Sequence, residues 1–224
     1  DLAWTLLDGG GVTPLRFDLH GQMVARSGLG VFAAIPAAMR FGDGDDDTGI
    51  GNLEVGGVQN FWRRGRTIAL RASLTLPTAS DDPGGASANY LSAFGRIADL
   101  PQIYPQTIWM RLSGSPILRS GAVFFRADLG VDVALSTRGG DEPDPLLRLN
   151  LGVGGELGSV ALMAEFANVM NTDDRLIDDT SHTLAATLRL IRSSVQPSVS
   201  IVVPIGSTGG GVDAVVMIGV VTRF

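Results

Sequence analysis

Cysteine is absent from this chain, which excludes a disulfide framework, thiolate metal sites and a cysteine nucleophile. Lysine is absent too, so all 17 basic residues are arginine, set against 23 carboxylates for a net charge of −6. That acidic balance argues against nucleic acid, whose binding rests on neutralised phosphates. Histidine occurs only twice, leaving little material for acid–base chemistry, and no motif calls for a cofactor. Although 45% of the 224 residues are hydrophobic, none of the apolar runs approaches the ~18 to 20 residues that a membrane-spanning helix needs.

The apolar residues are spread with a period of two, the spacing that sends successive side chains to opposite faces of a strand. Twelve segments show it: 2–7, 15–25, 29–39, 53–62, 67–76, 107–112, 122–135, 147–154, 160–167, 183–190, 199–205 and 212–224. On the greasier face only Gly21, Gly57, Gln59 and Thr222 are not apolar, and no charge falls there. The second face carries Arg16, Asp18, His20, Glu54, Arg71, Arg111, Arg126, Asp128, Asp132, Arg148, Glu165, Arg189, Asp213 and Arg223. A soluble sandwich would bury its apolar face and crowd the other with Lys and Glu. A face on which arginines and carboxylates nearly balance suits a confined polar interior.

The gaps between segments alternate. Gaps 42–49, 78–105, 136–145 and 168–181 are long and rich in aspartate, whereas the intervening ones are mostly shorter and hold Arg26, Arg63, Arg64, Arg66, Arg119 and Arg192. Long external loops and short periplasmic turns are the asymmetry of membrane barrels, where only a closed sheet satisfies every backbone group in lipid. The pattern predicts an all-β, antiparallel up-and-down transmembrane barrel of twelve strands, with ten or fourteen as neighbouring counts. It occupies residues 1–224 as one domain, and an even count puts both termini in the periplasm. No basic and apolar leader precedes Asp1, so an exported chain would have its signal peptide already removed.

Strands that end in Val220-Val221-Thr222-Arg223-Phe224 resemble the terminal signature of bacterial outer-membrane β-barrels. This resemblance implies recognition of Phe224 by the barrel-assembly machinery, with outer-membrane lipids and lipopolysaccharide as surroundings. The stretch Thr48-Gly49-Ile50-Gly51-Asn52-Leu53-Glu54-Val55-Gly56-Gly57, followed by Leu74-Thr75-Leu76-Pro77-Thr78-Ala79, is similar to transporter-like barrels associated with the phenol-degradation MetA pathway. It covers about three strands and carries no catalytic motif.

Candidate lumen residues that would set electrostatic selection are Arg16, Asp18, Arg71, Arg111, Arg126, Asp128, Arg148, Glu165 and Arg189. Guanidinium and carboxylate groups held away from bulk water pair in forked bonds, because an isolated charge there is costly. Within gap 78–105 the period changes over 88–100, where Tyr90, Leu91, Phe94, Ile97 and Ala98 share one side at helical spacing. This predicts a short amphipathic helix that folds over or into the mouth as a lid, with packing against neighbouring loops or the outer leaflet as the alternative. Asp43, Asp45 and Asp47 with Glu54 reproduce part of a calcium-loop spacing, but Thr48 stands where glycine makes the sharp turn. An acidic loop tip is the better reading there.

Trp4, Trp62 and Trp109, with Phe61, Tyr104 and Phe224, fall near strand ends, as interfacial girdles require, although Trp62 and Trp109 have the inward phase. His20 and His182 lack a paired nucleophile, so no enzyme is expected. The functional expectation is passive passage of small solutes through a charged, partly occluded lumen. A sealed barrel serving as anchor or docking partner in an envelope complex is the alternative.

Overall fold

A computed structural model describes residues 1–7, 12–42, 46–138, 142–172, 180–205 and 212–223. Its strands are β1 (Leu2–Leu7), β2 (Val12–Val24), β3 (Leu29–Gly42), β4 (Asp47–Ile50), β5 (Glu54–Arg63), β6 (Arg66–Thr75), β7 (Thr107–Ser120) and β8 (Val123–Thr137). They continue with β9 (Leu146–Leu157), β10 (Val160–Asn171), β11 (Thr180–Leu190), β12 (Val195–Ile205) and β13 (Val212–Thr222). Every neighbour pair is antiparallel, and β1 pairs with both β2 and β13, so the sheet closes into a barrel of twelve strands. The thirteenth strand, β4, lies outside the barrel and pairs only with β3, from Ala37↔Ile50 to Arg40↔Asp47.

The alternation appears as an inside-out distribution of burial. Outward positions such as Leu19, Leu29, Phe125, Leu129, Leu151 and Ile218 are exposed, whereas the buried set contains Arg16, Asp18, Glu54, Arg111, Asp132 and Arg148. A closed strand ladder leaves no edge, so each backbone group is paired before any side chain is considered. All connections at one end are short, 25–28, 64–65, 121–122, 158–159 and 191–194, and both described termini belong to this end of the strand order. The Arg63–Arg66 hairpin is tight because Gly65, at φ +70°, adopts the left-handed turn conformation that a side chain disfavours.

Several boundaries differ from the sequence pattern. The segment expected at 107–112 runs on to Ser120, because Ser113 and Ser115 line the interior while Gly114 and Pro116 occupy outward positions too weakly apolar to show alternation. Between Leu6 and Leu7 the β1–β13 register shifts, so Val212 is buried against Ala3, Val202 and Val215 while Asp213 is exposed, the reverse of the expected phase. Trp62, assigned inward, is 55% exposed beside the short hairpin, whereas Trp109 is fully buried inside the barrel.

The helix expected over 88–100 is divided and displaced. An α-helix, α1 (Pro83–Ser92), begins at Asp82, whose carboxylate accepts from the Gly85 amide, and proline takes the first turn where its missing N–H costs nothing. A 3-10 segment, η1 (Ala93–Gln102), follows, with non-helical dihedrals at Arg96 and Asp99. The buried side of α1 is Gly85, Ala88, Asn89 and Ser92. Tyr90, expected on the packed side, is exposed; Leu91 is half-buried, and the Phe94 side chain lies outside the described ones.

Candidate functional site

The 31-residue link from β6 to β7 turns back into the barrel rather than resting above it: η1 packs against β1, β10, β11, β12 and β13 from within. Arg96, Asp99 and Gln102 of η1 all line the lumen, although the non-helical dihedrals at Arg96 and Asp99 interrupt its turns.

Asn52 holds this plug in place. Fully buried, it accepts from the Ala79 amide at 2.8 Å through its side-chain oxygen and donates from Nδ2 to the carbonyls of Pro101, at 2.9 Å, and Tyr104. Its backbone amide donates to Gln102 O at 2.6 Å. Next to it, a Cβ on Gly51 would stand 2.4 Å from Pro36 Cγ and 2.6 Å from Gln102 O, so only glycine allows the plug to approach. Thr78 Oγ1 receives the Leu53 amide at 2.8 Å and donates to Gly51 O at 3.2 Å. The Gly51-Asn52-Leu53-Glu54 and Thr78-Ala79 stretches thus meet as the anchor of the inward loop.

An ion network joins plug to wall. Arg111 Nη1 donates to Glu54 Oε2 at 2.7 Å, Nε to Asp132 Oδ1 at 3.2 Å and Nη2 to the Ala98 carbonyl at 2.6 Å, with Asp99 Oδ1 at 3.5 Å. Glu54 also accepts from Ser73 at 2.6 Å and from Gln102 Nε2 at 2.7 Å. Arg148 pairs with Asp132 at 2.8 Å and lies 3.6 Å from Asp128. Across the lumen, Arg16 Nε donates to Asp18 at 2.8 Å, while Arg96 binds Asp18 at 3.1 Å, Asp99 at 2.9 Å and Asp1 at 3.2 Å.

Asp99 is the crossing point of this network. Burial by itself pushes its carboxyl up; the guanidiniums of Arg96, Arg111, Arg16 and Arg148 outweigh that and hold it well below the usual carboxylate range. Apolar contact adds to the docking, with Ile97 buried against Trp109, Ala134, Leu146 and Val169 and Tyr104 edge-on to Trp109 at 5.9 Å.

Below the plug lies a cavity of about 410 Å³. Of the nine lumen candidates, Asp18, Arg71, Arg111, Arg126, Asp128, Arg148, Glu165 and Arg189 line it, and Arg16 is buried in the network above. Arg96 and Asp99 fall within the stretch 88–100, where the helical spacing brings out the apolar side, and Gln102 lies just beyond it, so none of the three is among the lumen candidates.

The lower wall is uneven. Most of its charged residues lie on β2 to β9, while β10 to β13 contribute Glu165 and Arg189 among Met163, Ala185, Val202 and Met217, together with Thr187 and Ser200, which hydrogen-bond to each other at 2.8 Å.

Other candidates are occupied differently. Asp47 pairs with Arg40 and Glu54 with Arg111, so neither is left to a calcium loop; Asp43 and Asp45 lie outside the described residues. Among the described residues no cluster of three metal-ligating side chains occurs. His20 lines the cavity with its ring at 6.0 Å from Phe32, and His182 stacks on Phe166 and bonds Asn168, positions that place neither beside an activated hydroxyl. Phe224 is outside the described residues.

No family model and no curated protein matches the chain. Among solved structures, a rhombohedral crystal form of the NanC porin superposes with a TM-score of 0.62 at 10% identity, covering 100% of this chain and 98% of that one. The COG4313 outer membrane channel from Pseudomonas putida F1 superposes at 0.67 with 11% identity, covering 98% and 90%. At such identity the likeness speaks for architecture alone: the twelve-stranded barrel of this chain has the fold of an outer-membrane porin and channel protein.

Proposed function

We propose that the chain is an outer-membrane channel through which small polar solutes pass passively, with η1 as its constriction. In this reading the long-loop end faces outward and the short turns and both termini face the periplasm, and Phe224 is presented to the barrel-assembly machinery. No chemical step is involved. The observation that carries the proposal is the polar cavity beneath the plug. At about 410 Å³ it has room for roughly a dozen waters, taking ~30 Å³ for each. A barrel serving only as a wall would gain more from a filled interior. The apolar exterior and the folds of the NanC porin and the COG4313 channel support the same reading.

The closed ion network favours a second reading, a sealed barrel acting as anchor or docking partner for an envelope protein, because Arg96 and Asp99 of the plug tie the charges of β2 to those of β7. Planar-bilayer recordings of the detergent-folded protein and of a variant lacking 88–100 decide between them. Steady conductance in the parent, or conductance that appears on deletion, is expected of the channel. Silence in both, with folded barrels, would establish the sealed form.

A further inference from the structure

The guanidiniums of the lumen fall into two groups. Arg16, Arg96, Arg111 and Arg148 each have carboxylates within 4 Å, in the network that holds the plug. Among the described residues, Arg71, Arg126 and Arg189 form no such ion pair, yet all three line the cavity below. Arg71 has a 3.4 Å contact with the Gln22 amide oxygen and stands 5.5 Å over the Phe32 ring. Arg71 feels the charge of Arg126 alongside those of Asp128, Glu54 and Asp99, whereas Arg189 is faced by the like charges of Arg223 and Arg126. The Nε of Arg189 is buried without a hydrogen-bond partner.

Little negative charge is free to answer them. Asp1, Asp18, Glu54, Asp99 and Asp128 of this cavity are each engaged by an arginine of the upper group. Glu165, level with Arg126 across Gly152 in the strand register, is the remaining carboxylate of the lining, one against three guanidiniums. Like charges confined in a cavity with an unsatisfied donor favour an anion, and a carboxylate matches the guanidinium fork. Met163, Ala185, Val202 and Met217 line the same cavity, on the strand of Arg189 and those beside and beyond it, and the nearby Thr187 and Ser200 hydroxyls already have each other.

We propose that the lower lumen is a binding site for small amphipathic carboxylates, the acid group on Arg71, Arg126 and Arg189 and the apolar body against the β10–β13 wall. This names the solute class of the channel reading and rests on it for the route in and out. Binding itself can be measured without conduction. Three probes separate the contributions: cyclohexanecarboxylate, formate, which has the charge without the body, and cyclohexylamine, which has the body with the opposite charge.

The test is an NMR titration of arginine Nε resonances in the micelle-folded full chain. Saturable binding of cyclohexanecarboxylate, at least tenfold tighter than formate and with no saturable effect from cyclohexylamine, is expected. The double substitution Arg126→Gln/Arg189→Gln should weaken it at least tenfold while heat-modifiable mobility and circular dichroism stay those of the parent. Should that variant not fold, Arg126→Lys/Arg189→Lys keeps the charge but loses the forks, and at least a threefold loss is expected. Equal binding of acid and amine, or unchanged affinity in a folded variant, would overturn the site. Bilayer silence alongside intact binding would overturn the channel and leave the site standing.

Discussion

Asn52, at the entry to β5, donates through its side-chain amide to the carbonyl of Pro101 in η1 at 2.9 Å, forty-nine positions further along the chain. That bond, with those to Tyr104 O and from Ala79 N, fixes where the inward loop starts and ends. Asn52→Asp retains the shape and the acceptor for Ala79 but removes both donated bonds. The buried Pro101 carbonyl then loses a partner, at ~1 to 3 kcal/mol, and the part-buried Tyr104 carbonyl loses one too. The expected outcome is an intact barrel with a loosened plug, read as faster amide exchange over residues 96–103 and higher conductance. Unchanged exchange there would remove Asn52 from this role.

Arg111 answers Glu54, Asp99 and Asp132 at once. Arg111→Met leaves these carboxylates with less compensation, and breaking a buried pair in this way costs ~3 to 5 kcal/mol. A large fall in thermal stability is expected. Glu54→Gln in the same chain should restore part of it, because one orphaned charge is removed, and Tm of the single and double variants checks this. In a channel, Arg111→Glu and Arg148→Glu should in addition shift ion selectivity toward cations, which a reversal-potential measurement reports.

The depressed carboxyl of Asp99 gives the plug a defined acid response. A group whose folded value lies below its ordinary one, here 3.8, stabilises the docked state fully above that ordinary value. The contribution fades as pH falls below it toward the folded value. Docking should therefore be insensitive to Asp99 between pH 7 and about 5 and weaken at more acid pH. Exchange rates of the η1 amides across this range should show the acid limb in the parent. In Asp99→Asn the limb should be reduced and the starting protection lower; an identical limb would assign it to other carboxylates.

Much of this architecture was legible because it is written in nearest-neighbour terms. A lipid-compatible closed sheet requires alternation at every strand, so the charge-free face, the twelve segments, the loop asymmetry and the inward-facing arginines follow from residue identity and parity. Parity fails where the chain departs from ideal pairing: the shift at Leu6/Leu7 inverted Val212 and Asp213, and outward Gly114 and Pro116 hid half of β7. The extra strand β4 pairs with residues 37–40 of β3, beyond the stretch 29–34 that β5 takes, and no local pattern announces that open backbone.

What the sequence by itself determined was the sheet, its closure and the face that most strand charges take, since a period of two and the cost of unpaired backbone leave few alternatives. Only the tertiary structure decided which charges matter to which. Arg16 and Arg111 become struts of a plug because Asp99 and Gln102 descend between them, while Arg71, Arg126 and Arg189, alike in sequence, remain below its reach. That division rests on contacts between residues tens of positions apart. Coulomb energy and desolvation in a narrow lumen follow distance through space, which spacing along the chain does not contain.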